Sequence, residues 1–133
     1  MIRLNDWHEF NAEPKNFGNI PVECFAGKGK WVDLFIETRT KDIKINQLRN
    51  FFGEIQSILN DPEKKKTEEL RNTVSILEMN LAYDFGRNVI TGEFYELITK
   101  SLEKIHTPED FDKFVIFIKA LIAYHKLHAS ANK

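Results

Sequence analysis

From Trp31 onward, apolar residues recur at three- and four-residue spacing through almost the whole chain, a period that admits helices and little else. Ile45, Leu48, Phe52, Ile55 and Leu59 make one such stripe, widened by Phe51 and Ile58. Leu70, Val74, Leu77 and Leu81 make a second, and Phe94, Leu97, Ile98, Leu102 and Ile105 a third. The last runs through Phe111, Phe114, Val115, Ile118, Leu121, Ile122 and His125, while Phe117 and Tyr124 mark another face of the same helix. A helix apolar on two faces needs cover from two sides, so this one belongs in the middle of something. Strand-like alternation is absent apart from a possible extended piece at Ile20–Phe25. The pattern predicts an all-α fold, a compact bundle of about five helices.

Local signals set the expected boundaries. A short first helix near residues 30–39 carries Trp31, Leu34 and Phe35, and a second spans about residues 45–60, stopped by Asn60-Asp61-Pro62. Gly53 sits inside it at a cost of about 1 kcal/mol against Ala, which predicts close approach by another backbone. The mixed-charge run Glu63–Glu69 opens the third helix as a solvated face, and Gly86 is placed to end or bend it. The fourth starts around Thr91-Gly92-Glu93. The fifth has the clearest start: Thr107 as N-cap, Pro108 at the first helical position, and Glu109 and Asp110 against the positive end of the dipole.

At 133 residues and 42% hydrophobic, the chain supports one core. Residues 1–30, with Gly18, Gly27, Gly29, Pro14 and Pro21, read as an irregular N-terminal arm, and residues 31–133 as the helical bundle domain. Trp7, Phe10, Phe17 and Phe25 make the arm too apolar for a free tail, so part of it docks on the body or on a partner. Nineteen Lys and Arg against twenty Asp and Glu leave a net charge of -1, so any polyanion site is local. The lone Cys24, a start without a signal-like apolar region, and no apolar run long enough to span a bilayer imply a cytoplasmic protein without a membrane partner.

Reactive chemistry finds little footing. His125 and His128 stand three apart, close enough to share a metal, but no HExxH motif accompanies them and His125 falls on the apolar stripe, so a packed or surface pair is the simpler reading. Cys24 has no local base. Glu54, Glu68, Glu69, Glu78, Glu96 and Glu103 read as solvated helix positions, and Gly27-Lys28-Gly29-Lys30 as a flexible basic turn without P-loop spacing. The residues therefore predict no catalytic group, no metal, no cofactor and no small-molecule substrate.

Charge placement is more informative. No acidic residue follows Asp112, so the C-terminal segment presents Lys113, Lys119, Lys126 and Lys133 with His125 and His128. Arg49 lies on the exposed side of the second helix, and Arg87 caps the third. Three helices could thus present cations to one anionic groove. Lysines near a helix C-terminus also offset its dipole, and both readings stand at this level. Two Ala-Tyr steps with cations close behind, Ala82-Tyr83 and Ala123-Tyr124, add small residues for packing and aromatics for a wall.

Three of these segments carry a resemblance. Gln47-Leu48-Arg49-Asn50-Phe51-Phe52, Leu81-Ala82-Tyr83-Asp84-Phe85-Gly86-Arg87 and Phe114 through Lys126, ending Ala123-Tyr124-His125-Lys126, resemble in the same order the small subunit of type III-A CRISPR effector complexes, the Csm small-subunit family. The likeness spans about residues 31–128, and departs at Lys44-Ile45-Asn46, at Lys119 and after Lys126. It implies a helical, non-catalytic subunit in antiviral defence, stacking in several copies as a homo-oligomer beside other Csm subunits and touching crRNA and target RNA through the backbone. It further implies that Arg49, Arg87 and Lys126, with Lys119, face RNA phosphate, while Tyr83, Tyr124 and Gly86 serve as frame. The competing expectation is a self-associating helical adaptor that uses the apolar excess of the last helix and binds no RNA.

Overall fold

A computed structural model describes residues 17–131. Among them, a 3-10 turn at Phe17–Asn19 precedes seven α-helices: α1 (Val22–Phe25), α2 (Trp31–Glu37), α3 (Ile45–Leu59), α4 (Pro62–Lys65), α5 (Thr67–Gly86), α6 (Gly92–Leu102) and α7 (Pro108–Ala131). The expected all-α architecture is present, with α2, α3, α5, α6 and α7 in the places that the apolar stripes predict. Trp7, Phe10 and Pro14 of the arm, and Lys133, lie outside the described residues. No helix among the described residues is long and apolar enough to cross a membrane.

The arm's described part docks on the body. Phe17, Ile20 and Phe25 are fully buried. The ring of Phe17 meets Phe114 at 5.7 Å and Phe117 at 5.6 Å, and Phe25 meets Phe117 at 5.4 Å, all edge to face. Burial of each phenyl contributes about 2 to 3 kcal/mol. The extended piece expected at Ile20–Phe25 is instead a one-turn helix, because Pro21 takes the extended N-cap conformation (φ -61, ψ 138) and the Ala26 amide closes the turn on the Val22 carbonyl at 2.8 Å.

Helix α7 is central, as its two apolar faces require. The 3-10 turn, α1 and α2 cover one side and α3 the other. Its N-terminus is a reciprocal cap: the Asp110 amide donates to Thr107 Oγ1 at 3.2 Å, and Asp110 Oδ2 accepts the Thr107 amide at 3.1 Å and the His106 amide at 2.9 Å. The other Asp110 oxygen accepts the Gly18 amide at 2.7 Å.

Three local expectations change. The charge run does not simply open one helix: Lys66 leaves the helical region (ψ 147), so α4 ends and α5 begins after it. Gly86 is the last residue of α5 without a left-handed backbone; that conformation falls to Asn88 (φ 64). Bonds from the Asn88 amide to Phe85 O and from the Val89 amide to Asp84 O, both 3.0 Å, make the end a Schellman motif with Asn88 at C′. Gly53 is exposed on α3 and a Cβ there would meet nothing within 4 Å, so no backbone among the described residues approaches it.

Candidate nucleic-acid interface

Two sets of contacts fix how the cation-bearing helices run. His125 Nε2 donates to the Ile43 carbonyl just ahead of α3, and Phe114 meets Phe51 at 6.3 Å further along, so α7 lies antiparallel to α3. Asn80 Nδ2 donates to Glu54 Oε1 at 3.2 Å, while Ile58 shares a groove with Thr73 and Leu77, so α5 is antiparallel to α3 as well. The C-terminal ends of α5 and α7 therefore both flank the N-terminal end of α3. That topology brings Arg49 in the second turn of α3, Arg87 at the C-cap of α5, and Lys126 near the end of α7 to one end of the bundle. Lys119 stands two turns before Lys126 on the same side of α7, between the levels of the two α3 contacts.

All four side chains are exposed, and none has an ion-pair partner among the described residues. Arg87 holds its guanidinium 5.3 Å from the centre of the Tyr83 ring. Cations without counter-ions can contact phosphates; of the four, Arg87 and Lys126 also stand toward helix C-terminal ends, where the dipole presents negative charge. Lys44, exposed at the N-cap of α3, is at the same end and enters the sequence reading only as a departure from a family pattern.

Other cations are already engaged. Lys113 Nζ donates to the carbonyls of Gly18 at 3.2 Å and Ile20 at 3.0 Å, which removes it from the basic C-terminal set. Arg39 binds Glu93 through Nε at 3.2 Å and Nη2 at 3.0 Å, donates to Phe35 O at 2.8 Å, and lies over the Phe35 ring. The basic turn at Gly27–Lys30 is tied down by the Gly29 amide, which donates to Asp33 Oδ2 at 2.7 Å, with Gly27 (φ 128) and Gly29 (φ 77) supplying the left-handed backbone.

The histidines point apart in function. His125 is buried, with Nε2 on Ile43 O and Nδ1 without a hydrogen-bond partner among the described residues; His128 Nε2 donates to Asp33 Oδ1 and ties α7 to α2. Among the described residues no three His, Cys, Asp or Glu side chains are placed to share an ion. Burial raises the Asp33 carboxyl, but the Gly29 amide, His128 and Lys28 outweigh it and hold the group below the usual carboxylate range.

The two Ala-Tyr steps prove unlike each other. Tyr124 is half-buried against the core, whereas Tyr83 is 65% exposed and Ala82, Ala123 and Gly86 are exposed as well. Tyr83 thus stands outside the core that holds Tyr124. Helix α5 buries only Leu70, Thr73, Val74, Leu77 and Leu81, and this narrow stripe turns Tyr83 outward with Ile76 and Met79. Most of the apolar excess that the sequence assigns to the last helix is buried in the core, with Ile116 and Leu127 left exposed, while α5 exposes Ile76, Met79, Tyr83 and Phe85. Two carboxylates also differ from simple solvated positions. Burial and neighbouring Asp84 push Glu54 up despite the Asn80 bond, and burial with Glu103 does the same to Glu78 against Arg71.

A family model described as Csm2 Type III-A matches residues 34–131. A curated relative from Streptococcus thermophilus, "CRISPR system Cms protein Csm2", is 28% identical over 89 residues, which is 65% of this chain and 74% of that protein. No solved structure gives a significant match.

Proposed function

The chain belongs to the type III-A Csm2 family, and from that premise we propose that it works as a non-catalytic small subunit of a type III-A CRISPR ribonucleoprotein effector, stacked in several copies and holding crRNA and target RNA by the backbone. The observation that supports the RNA contact is the convergence of Arg49, Arg87 and Lys126, exposed and without ion-pair partners among the described residues, on one end of the bundle, with Lys119 along the adjoining side of α7. A complex whose specificity comes from guide pairing asks of such a subunit only sequence-independent phosphate contacts. A few contacts per copy are screened by salt, so a single subunit binds RNA weakly and affinity arises from repetition along the complex.

The test is the triple variant Arg49→Glu, Arg87→Glu, Lys126→Glu in the assembled complex. All three side chains are exposed, so the fold should survive while retention of target RNA falls by at least about tenfold. Retention equal to wild type refutes the assignment of these residues.

A further inference from the structure

The opposite charge pattern appears where α3 and α5 face each other. A groove of about 330 Å³ lies between them, floored by Ile58 and Leu77 and edged by Glu54, Glu69, Asn80 and Ile76. Lys64 is the one cation among its described lining residues, and its carbonyl accepts from Thr73 Oγ1 at 2.9 Å, two turns of α5 away from Asn80. At the Asn80 end stands Glu54, half-buried, with a neutral amide as hydrogen-bond partner and Asp84 as its charged neighbour.

A carboxylate in that setting is poorly compensated: it is partly desolvated, and Asp84 repels it. An apolar floor with an acidic end suits the methylene stem and charged head of a long basic side chain. It repels a phosphate. Beside the groove, Ile76, Met79 and Tyr83 are 55%, 62% and 65% exposed and form an apolar strip on one side of α5.

We infer that this groove and strip form a docking surface for a protein segment presenting an arginine or lysine flanked by apolar residues, the basic head seated against Glu54 and the apolar flanks on Ile76, Met79 and Tyr83. Charge complementarity selects a protein of this chemistry over RNA. The surface adjoins the cationic end at Tyr83, whose ring lies 5.3 Å from the Arg87 guanidinium, and the inference leans on the proposed function only for the assembly in which the partner is sought.

The experiment places a benzoyl-phenylalanine crosslinker at Ile76 in the reconstituted effector complex and maps the product. A crosslink to a protein segment bearing Arg or Lys, reduced about tenfold by Glu54→Gln, supports the surface. The free Glu54→Gln chain should melt no lower than wild type, because the substitution relieves a desolvated charge, so a lost crosslink cannot be ascribed to unfolding. A crosslink to RNA, the absence of any protein crosslink, or a yield unaltered by Glu54→Gln overturns it. Should the wild-type chain fail to enter the complex, the proposed function falls instead. The surface is then read on the free chain by titrating a blocked Leu-Arg-Leu tripeptide: chemical-shift changes at Glu54 and Asn80 below about 10 mM uphold it, and their absence refutes it.

Discussion

The Asp110 carboxylate receives the Gly18 amide at 2.7 Å, across 92 residues of sequence, while its second oxygen receives the amides of His106 and Thr107. One buried side chain thus caps the central helix and fastens the 3-10 turn to it. A Cβ on Gly18 would stand 2.6 Å from that oxygen, so glycine is required by close approach. Asp110→Ala should cost about 3 kcal/mol, from the lost cap and from amides left without an acceptor. Gly18→Ala should cost about 1 to 2 kcal/mol by overpacking. Urea unfolding measures both, and a Gly18→Ala variant as stable as wild type would show that the turn does not seat here.

Asp33 ties three elements together, accepting from the Gly29 amide and from His128. Its carboxyl is held below the ordinary value of 3.8, so the folded protein binds this proton less readily than the unfolded chain. The resulting stabilisation is present above the unfolded value and is lost as pH falls through the folded one. Asp33→Asn should therefore be less stable than wild type at pH 7 by about 2 kcal/mol, and the gap should narrow below about pH 4. A gap that stays constant between pH 7 and pH 3 would contradict the assignment.

Gly53 offers the reverse case. It is exposed in the interior of α3 with open space where a side chain would go. Gly53→Ala should raise stability by about 0.5 to 1 kcal/mol, since the helix is already formed and the unfolded chain loses freedom. A loss of stability in the isolated chain would mean that the backbone there is more crowded than the bundle indicates.

The helices were readable because each buries a stripe at a helical period: Leu48, Ile55 and Ile58 on α3, or Leu97, Ile98 and Leu102 on α6, need no tertiary information to be recognised. Thr107 and Thr91 announce their caps for the same local reason. What escaped depends on contacts distant in sequence. Phe17 and Phe25 carry no period, and only Phe114 and Phe117 make them core residues. Lys113 counts as a free cation until Gly18 and Ile20 occupy it. Tyr83 resembles Tyr124 in local sequence, yet the narrow buried stripe of α5 leaves it to solvent while α7 draws Tyr124 inward. Of the cationic set, the exposure of Arg49 follows from its helical phase, but its nearness to the ends of α5 and α7 follows only from the antiparallel registers.

Those registers leave Lys126 with two duties to tell apart, phosphate contact or compensation of the α7 dipole, and Lys119 with the first alone, and experiment separates them. If they contact RNA, Lys119→Gln and Lys126→Gln in the assembled complex should each flatten the salt dependence of target retention by about one unit of log-log slope, uniformly across target sequences, because each lost phosphate contact releases one fewer counter-ion. Thermal stability of the free chain should hardly move for Lys119, which lies three turns inside the helix end, where the dipole has faded. If Lys126 instead serves the dipole, Lys126→Gln should lower stability by about 0.3 to 1 kcal/mol and leave the slope unchanged. Measuring retention from low to physiological salt alongside unfolding of the free chain separates the outcomes. An unchanged slope in both variants would remove α7 from the RNA face and confine the contact to Arg49 and Arg87.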